Sequence, residues 1–158
     1  MAKEIERKFL VTGEGWRDRV MRKVHLRDGI LAFAGGRKVR IRFYDGRATL
    51  TVKGPRIGIS RDEFEYDIPG EDGLVLLEQH CGGGIQEKTR HHVLHGGFEW
   101  TVDEYHGLLA GVVMAEIELP SEEAEFPHPP WLGREVTGLP EYRQANMAEA
   151  RRQRGNTG

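Results

Sequence analysis

The sequence predicts a mostly β chain of the α+β kind: an antiparallel sheet, closed into a barrel or folded into a sandwich, with a few flanking helices. Three observations carry this reading. Apolar and charged residues alternate with period two over most of the first 119 positions. Gly-containing pairs punctuate those runs at hairpin spacing, and helical patterns are confined to short stretches.

Taken in order, residues 2–11 read as a strand and Glu14–Met21 as a short helix. Strands follow near 22–27, 30–34 and 38–44, with 28–29 as the break between the first two. Asp45-Gly46 then turns the chain into 47–53, since glycine accepts the positive φ of a tight hairpin. Another strand covers 58–68 and is closed by Pro69-Gly70. GEDGLVLLEQHC (70–81) reads as a helix with Leu74, Leu77 and Cys81 on one side. Strands near 85–95 and 98–105 join at Gly96-Gly97, and 112–119 reads as one more. SEEAEF has the look of a short helix start, FPHPPWLG of a rigid connector, and Glu141–Arg152 of a terminal helix before a frayed GNTG.

With 158 residues, no internal repeat and no long linker, one domain over 1–158 is expected. Charged residues make up 30% of the chain, yet 23 basic and 25 acidic residues leave a net charge of only −2. That balance argues against generic nucleic-acid binding. One cysteine, Cys81, excludes an internal disulfide framework and a cysteine-rich zinc site. No apolar run approaches the length of a membrane span, and the N-terminus is charged from Lys3 onward, so a cytoplasmic protein is expected.

The charges gain meaning when sorted by strand face, because successive side chains point to opposite sides. Glu4, Glu6 and Lys8 share one face. So do Arg40 with Arg42, Lys53 with Thr49 and Thr51, and Arg61 with Glu63 and Glu65. Lys88 with Arg90, Glu99 with Asp103, and Glu116 with Glu118 continue the pattern. A single such strand is the wet side of an ordinary sheet. Seven of them, written as ExExK, RxR, RxExE and ExE with few neutral polar residues between, are not. Carboxylates suit a hard cation such as Mg²⁺ or Mn²⁺, and Arg and Lys suit phosphate oxygens. Together they describe a site for a metal–polyphosphate complex.

ExExK at Glu4-Glu6-Lys8, VRIR at 39–42, TVKG at 51–54 and RxExE at 61–65 resemble the CYTH, or triphosphate tunnel metalloenzyme, superfamily. KTR at 88–90, WTVDEYHG at 100–107, AEIEL at 115–119 and WLGREVT at 131–137, followed by Tyr142 and Asn146, continue the match in order. The resemblance implies an eight-stranded antiparallel closed β-barrel, the triphosphate tunnel, in a short member similar to inorganic tripolyphosphatases. It implies Mg²⁺ or Mn²⁺ at Glu4, Glu6, Glu63, Glu65, Asp103, Glu116 and Glu118. Phosphate would be held by Lys8, Arg40, Arg42, Lys53, Arg61, Lys88 and Arg90, with Glu4, Glu6 and Lys8 as the catalytic set. The expected reaction is hydrolysis of inorganic tripolyphosphate, with weaker action on nucleoside triphosphates. Relatives that are class IV-type adenylate cyclases or thiamine triphosphatases, and a non-catalytic polyphosphate-binding module, are the alternatives. The expected partner is a small-molecule triphosphate, with neither nucleic acid nor membrane, and a homodimer left open. LRDGILAF (26–33) departs from the family by placing Ile30 where many relatives carry an aromatic, which predicts no pocket for a base at the tunnel mouth.

Other motifs fall away. GGGIQEKT (82–89) lacks the Gly before Lys that a phosphate-binding Walker loop needs, so its glycines read as a turn. His91, His92 and His95 alternate in facing, and Trp16, Trp100 and Trp131 read as packing residues.

Overall fold

The computed structural model describes residues 3–156. The strands are β1 (Lys3–Val11), β2 (Val20–Ala34), β3 (Arg37–Tyr44), β4 (Arg47–Lys53), β5 (Ser60–Ile68), β6 (Gln86–His95), β7 (Phe98–Tyr105), β8 (Val113–Glu118) and β9 (Leu132–Glu135). Their order is β5-β4-β3-β2-β6-β7-β8-β1, every pairing is antiparallel, and β1 returns to β5 through Lys3 to Ile5. Eight strands therefore close on themselves, and the short β9 runs beside the end of β1. The expected closed barrel is what the chain forms. The sandwich is excluded.

Closure sorts the two strand faces. The charged face turns inward, so the apolar residues lie on the outside of the barrel and need covers. One cluster gathers Trp100, Trp131, Phe9, Trp16 and Phe126, partly beneath the 3-10 turn Gly15–Arg19. Trp100 meets Phe9, Phe126 and Trp131 edge-on at 5.7, 5.6 and 5.5 Å. Such pairs contribute about 0.5–1.5 kcal/mol each beyond area burial. A second cluster, Ile41, Phe43, Ala48 and Leu77, lies under α1 (Gly70–Val75) and the single π turn Leu76–His80 that prolongs it. The third joins Tyr105, Leu109, Met114 and Val136 to Ala148 of α2 (Gln144–Asn156), which lies over one end of the barrel.

Several local expectations are corrected. Residues 22–27 and 30–34 are not two strands but one 15-residue strand, β2, running straight through Asp28-Gly29. Gly29 is not a turn glycine. A Cβ there would stand 2.7 Å from Leu77 Cδ1 and 2.8 Å from Cys81 Cβ, so it serves close packing of the π turn on the strand. Leu77 faces the barrel as expected, but Leu74 is exposed and Gly73 takes its place on the packed side. SEEAEF forms only a turn, closed by Ala124 N–H to Ser121 C=O, and is no helix start. The connector expected at FPHPPWLG ends in β9, whose Gly133 lets the chain approach the Leu10 carbonyl. The terminal helix begins at Gln144, after a 3-10 turn at Pro140–Tyr142, and continues through Gly155 and Asn156 of the expected frayed end. Thr157 and Gly158 lie outside the described residues, as does residue 2 of the first expected strand.

Candidate active site

A cavity of about 990 Å³ runs inside the barrel. Glu4, Glu6, Lys8, Arg40, Arg42, Lys53, Arg61, Glu63, Glu65, Lys88, Arg90, Glu116 and Glu118 all line it. Strand alternation places them there, since cross-strand partners share a face: Glu6 opposite Glu118, Lys8 opposite Glu116, Lys53 opposite Glu63 and Arg90 opposite Asp103. His92 also reaches the cavity, and its Nδ1 lies 2.6 Å from Glu99 Oε1. His91 turns outward to pack on Trp16.

The charges fall into two groups. In the first, every charge has a partner. Arg42 forks onto Asp28, with Nε–Oδ1 at 2.6 Å and Nη2–Oδ2 at 2.7 Å. Arg90 forks onto Asp103 at 2.8 and 2.9 Å, and Lys88 Nζ bridges the pairs, 3.0 Å from Asp103 and 3.7 Å from Asp28. Gln144 of α2 binds both Lys88 (3.1 Å) and Asp28 (3.4 Å), which ties the helix to this floor. Asp28 and Asp103 are 1% and 2% exposed. Burial would raise both carboxyls, but the guanidiniums overrule it and hold them well below the usual carboxylate range. Lys88 is pushed down to about 8 by burial, against the pull of Asp103 and Asp28.

The second group is frustrated. Burial and a hydrogen bond with Glu63 push the Glu4 carboxyl up to about 7, even though Lys53 Nζ sits 3.3 Å away. Burial together with Glu116 and Glu4 holds Glu6 well above the carboxylate range. Their partners go the other way. Against burial, the bond from Glu4 and the Lys53 ammonium bring Glu63 down to about 2. Lys8 and Arg90 do the same for Glu116. Each pair, Glu4 with Glu63 and Glu6 with Glu116, thus sets two buried carboxyls against each other, one pushed up and its neighbour down. The cations beside them are equally strained. Arg40, 8% exposed, has a buried Nε without a hydrogen-bond partner and an ion pair with Glu65 stretched to 4.0 Å. Lys38, on the same face two residues before Arg40, is pushed down to about 6 by burial and by Lys53, Arg40 and Arg61. Lys8 Nζ donates to the Tyr142 carbonyl at 2.8 Å, and Arg61 Nε to that of Gly54 at 3.0 Å.

Of the seven acids expected to hold metal, the structure brings Glu4, Glu6, Glu63 and Glu116 together, with Glu118 beside Glu6. Asp103 is near enough to Glu116 to push it up, yet both it and Glu65 are engaged by other partners. Asp103 is saturated by Arg90 and Lys88, and Glu65 accepts from Thr51 (3.2 Å) and Tyr44 (3.3 Å) near Arg40. Among the described residues, no three acids, histidines or cysteines stand assembled around one metal position. The four acids nevertheless fit a hard cation: oxygen donors only, buried, and carrying a mutual repulsion that a divalent ion relieves.

Asp28, Lys38 and Gln144 are site residues that the sequence reading missed. Lys38 was legible, since Lys38-Arg40-Arg42 is one period-two run. Asp28 was hidden because Asp-Gly reads as a turn, and Gln144 because only the packing of α2 brings it in.

Comparison with known proteins agrees with this fold. A family model described as the CYTH domain matches residues 2–152. An inorganic triphosphatase of Acetivibrio thermocellus is 44% identical over 149 residues, covering 94% of this chain and 95% of that protein. An inorganic triphosphatase of Nitrosomonas europaea is 34% identical over 149 residues, 92% of this chain and 96% of that one. A crystal structure of an inorganic triphosphatase superposes with a TM-score of 0.64 at 31% identity, covering 94% and 95% of the two chains. A Pyrococcus horikoshii protein shares the fold at 20% identity, with a TM-score of 0.60.

Proposed function

The chain belongs to the CYTH family, and from that premise we propose that it is a metal-dependent triphosphatase. It cleaves inorganic tripolyphosphate to pyrophosphate and orthophosphate, and acts more weakly on nucleoside triphosphates. The observation that supports this best is Arg40: a buried guanidinium whose Nε has no partner, facing a cavity lined by further cations. A buried cation in that state is costly unless an anion completes it. Two relatives of 44% and 34% identity that are inorganic triphosphatases point to the same substrate.

In this reading Arg40, Lys38, Lys8 and Arg61 take the phosphate oxygens that enter the tunnel, while Arg42, Lys88 and Arg90 form the cationic floor that Asp28 and Asp103 hold in place. Fixed donors of this kind stabilise charge developing on phosphate without reorganising, about 3–4 kcal/mol for a well-placed one. Glu4, Glu6, Glu63 and Glu116, with Glu118 beside them, would hold a divalent cation. When bound, such an ion neutralises phosphate charge and lowers the pKa of coordinated water. It would also relieve the repulsion that holds the Glu4 and Glu6 carboxyls up. Lys53, 3.0 Å from Glu63, keeps that carboxylate oriented. No helix among the described residues is long and apolar enough to cross a membrane.

The test is phosphate release from tripolyphosphate and from ATP with Mg²⁺ or Mn²⁺, with chromatography for cyclic AMP. Higher kcat/KM for tripolyphosphate and no cyclic AMP are expected. Binding without turnover under every metal condition would make the tunnel a polyphosphate-binding module instead.

A further inference from the structure

A local irregularity in β2 alters what stands at one mouth of the tunnel. Along β2, Asp28 lies opposite Arg42 and Ile30 opposite Arg40, so even-numbered residues face the cavity. Between Ile30 and Ala32 the register shifts: Ala32 lies opposite Val39, and Phe33 opposite the inward-facing Lys38. The bulge hands the inner face to Phe33, which strict alternation would have turned outward. Phe33 is 58% exposed and lines the cavity together with Ile30, Gly36 and Pro55. A Cβ at Gly36 would stand 3.3 Å from Pro55 Cβ, so the β2–β3 hairpin and the loop after β4 meet to form this rim. The expectation that the mouth has no pocket for a base took Ile30 as its aromatic position, and the bulge adds the Phe33 ring to that mouth.

Single exposed aromatics are ordinary on protein surfaces. This one is aimed at a polyanion site. Its cross-strand partner Lys38 lies two residues beyond Arg40 on β3, or about 7 Å at a strand's rise per residue. A chain of phosphates that ends near Arg40 and Lys38 places whatever it is esterified to against the Phe33 ring.

We propose that Phe33, backed by Ile30 and Pro55, is a stacking platform for the base of a nucleoside triphosphate, so that this mouth sets how well nucleotides compete with bare tripolyphosphate. The proposal rests on the triphosphatase reading above. Stacking uses the π face that every base has, so ATP and GTP are accepted alike.

The experiment compares the ratio of kcat/KM for ATP to that for tripolyphosphate in wild type, Phe33→Ala, Phe33→Leu and Phe33→Trp, with circular dichroism on each. Phe33→Ala should lower the ratio about tenfold, mainly through KM for ATP, on the scale of one lost base stack. Phe33→Leu should fall between, and Phe33→Trp should restore or exceed the wild-type ratio. A ratio that stays within about twofold in the folded Ala and Leu variants overturns the platform. If the wild-type protein turns over neither substrate, the hydrolase reading has failed separately. The same comparison is then made on dissociation constants for ATP and tripolyphosphate by calorimetry, with the same outcomes deciding.

Discussion

The two charge groups of the tunnel are built from the same residue types and behave in opposite ways. On the floor, Asp28, Arg42, Lys88, Asp103 and Arg90 complete one another within 2.6–3.7 Å. Near β1 and the start of β3, the Glu4 and Glu6 carboxyls are pushed up by burial and by their acidic neighbours, Arg40 lacks a partner at Nε, and Lys38 is pushed down. Burial is common to both groups, so it cannot be the cause. The difference is whether sign alternates between nearest neighbours. Where it does, the cluster is scaffold. Where like charges adjoin, the protein is complementary to something of the opposite sign that it does not itself contain.

That contrast can be broken most severely at the acids. Glu4→Gln with Glu6→Gln should reduce tripolyphosphate hydrolysis by more than about a hundredfold while leaving the circular dichroism spectrum intact, because the amides keep the side chains' size and the lost Lys53–Glu4 pair is offset by relief of the repulsion among the acids. EDTA should silence the wild-type enzyme to a similar degree, and Mg²⁺ or Mn²⁺ should restore it. Full turnover in metal-free buffer would show that the acids serve another purpose.

A smaller but more discriminating effect separates the two arginines. Asp28→Ala strands Arg42 in the interior and should cost about 3–5 kcal/mol in denaturant unfolding, as removal of one member of a buried pair does. Arg40→Met should leave stability within about 1 kcal/mol of wild type, since no well-made pair is lost, and yet lower kcat/KM about tenfold. Equal destabilisation by the two changes would erase the distinction between floor and frustrated group.

The mildest test is one of pH. Lys38 titrates near 6 in the folded protein, below the value of about 10.4 of an unfolded lysine. The folded state then binds fewer protons than the unfolded one between those values. The lysine's burial penalty is therefore complete below about pH 6 and fades as pH rises toward 10.4. Stability should gain a positive slope with pH in this window, and Lys38→Met should flatten it. Bound tripolyphosphate should draw a proton onto Lys38 at pH 7.5, seen as a dependence of the calorimetric heat on buffer ionisation. An unchanged slope in Lys38→Met would place the strain elsewhere.

Much of this was determined by the sequence alone. Period two is a local property, so the inward set Glu4-Glu6-Lys8, Arg40-Arg42, Lys53, Arg61-Glu63-Glu65, Lys88-Arg90 and Glu116-Glu118 could be written down before any fold was known, and with it the chemistry of the cavity. Barrel over sandwich was decided by three long-range pairs, Lys3 with Asp62, Glu4 with Arg61 and Ile5 with Ser60, which no local pattern announces. Tertiary structure also decided which acids meet. Asp103 shares its face with the others, yet goes to Arg90 because cross-strand register puts the two directly opposite. Asp28 and Gly29 were read as a break between strands, and Phe33 was not singled out, for a single reason. Their roles depend on what lies across from β2, the π turn at Leu77 outside and Arg42 and Lys38 alongside, and a one-residue bulge reverses facing without leaving a mark in the alternation.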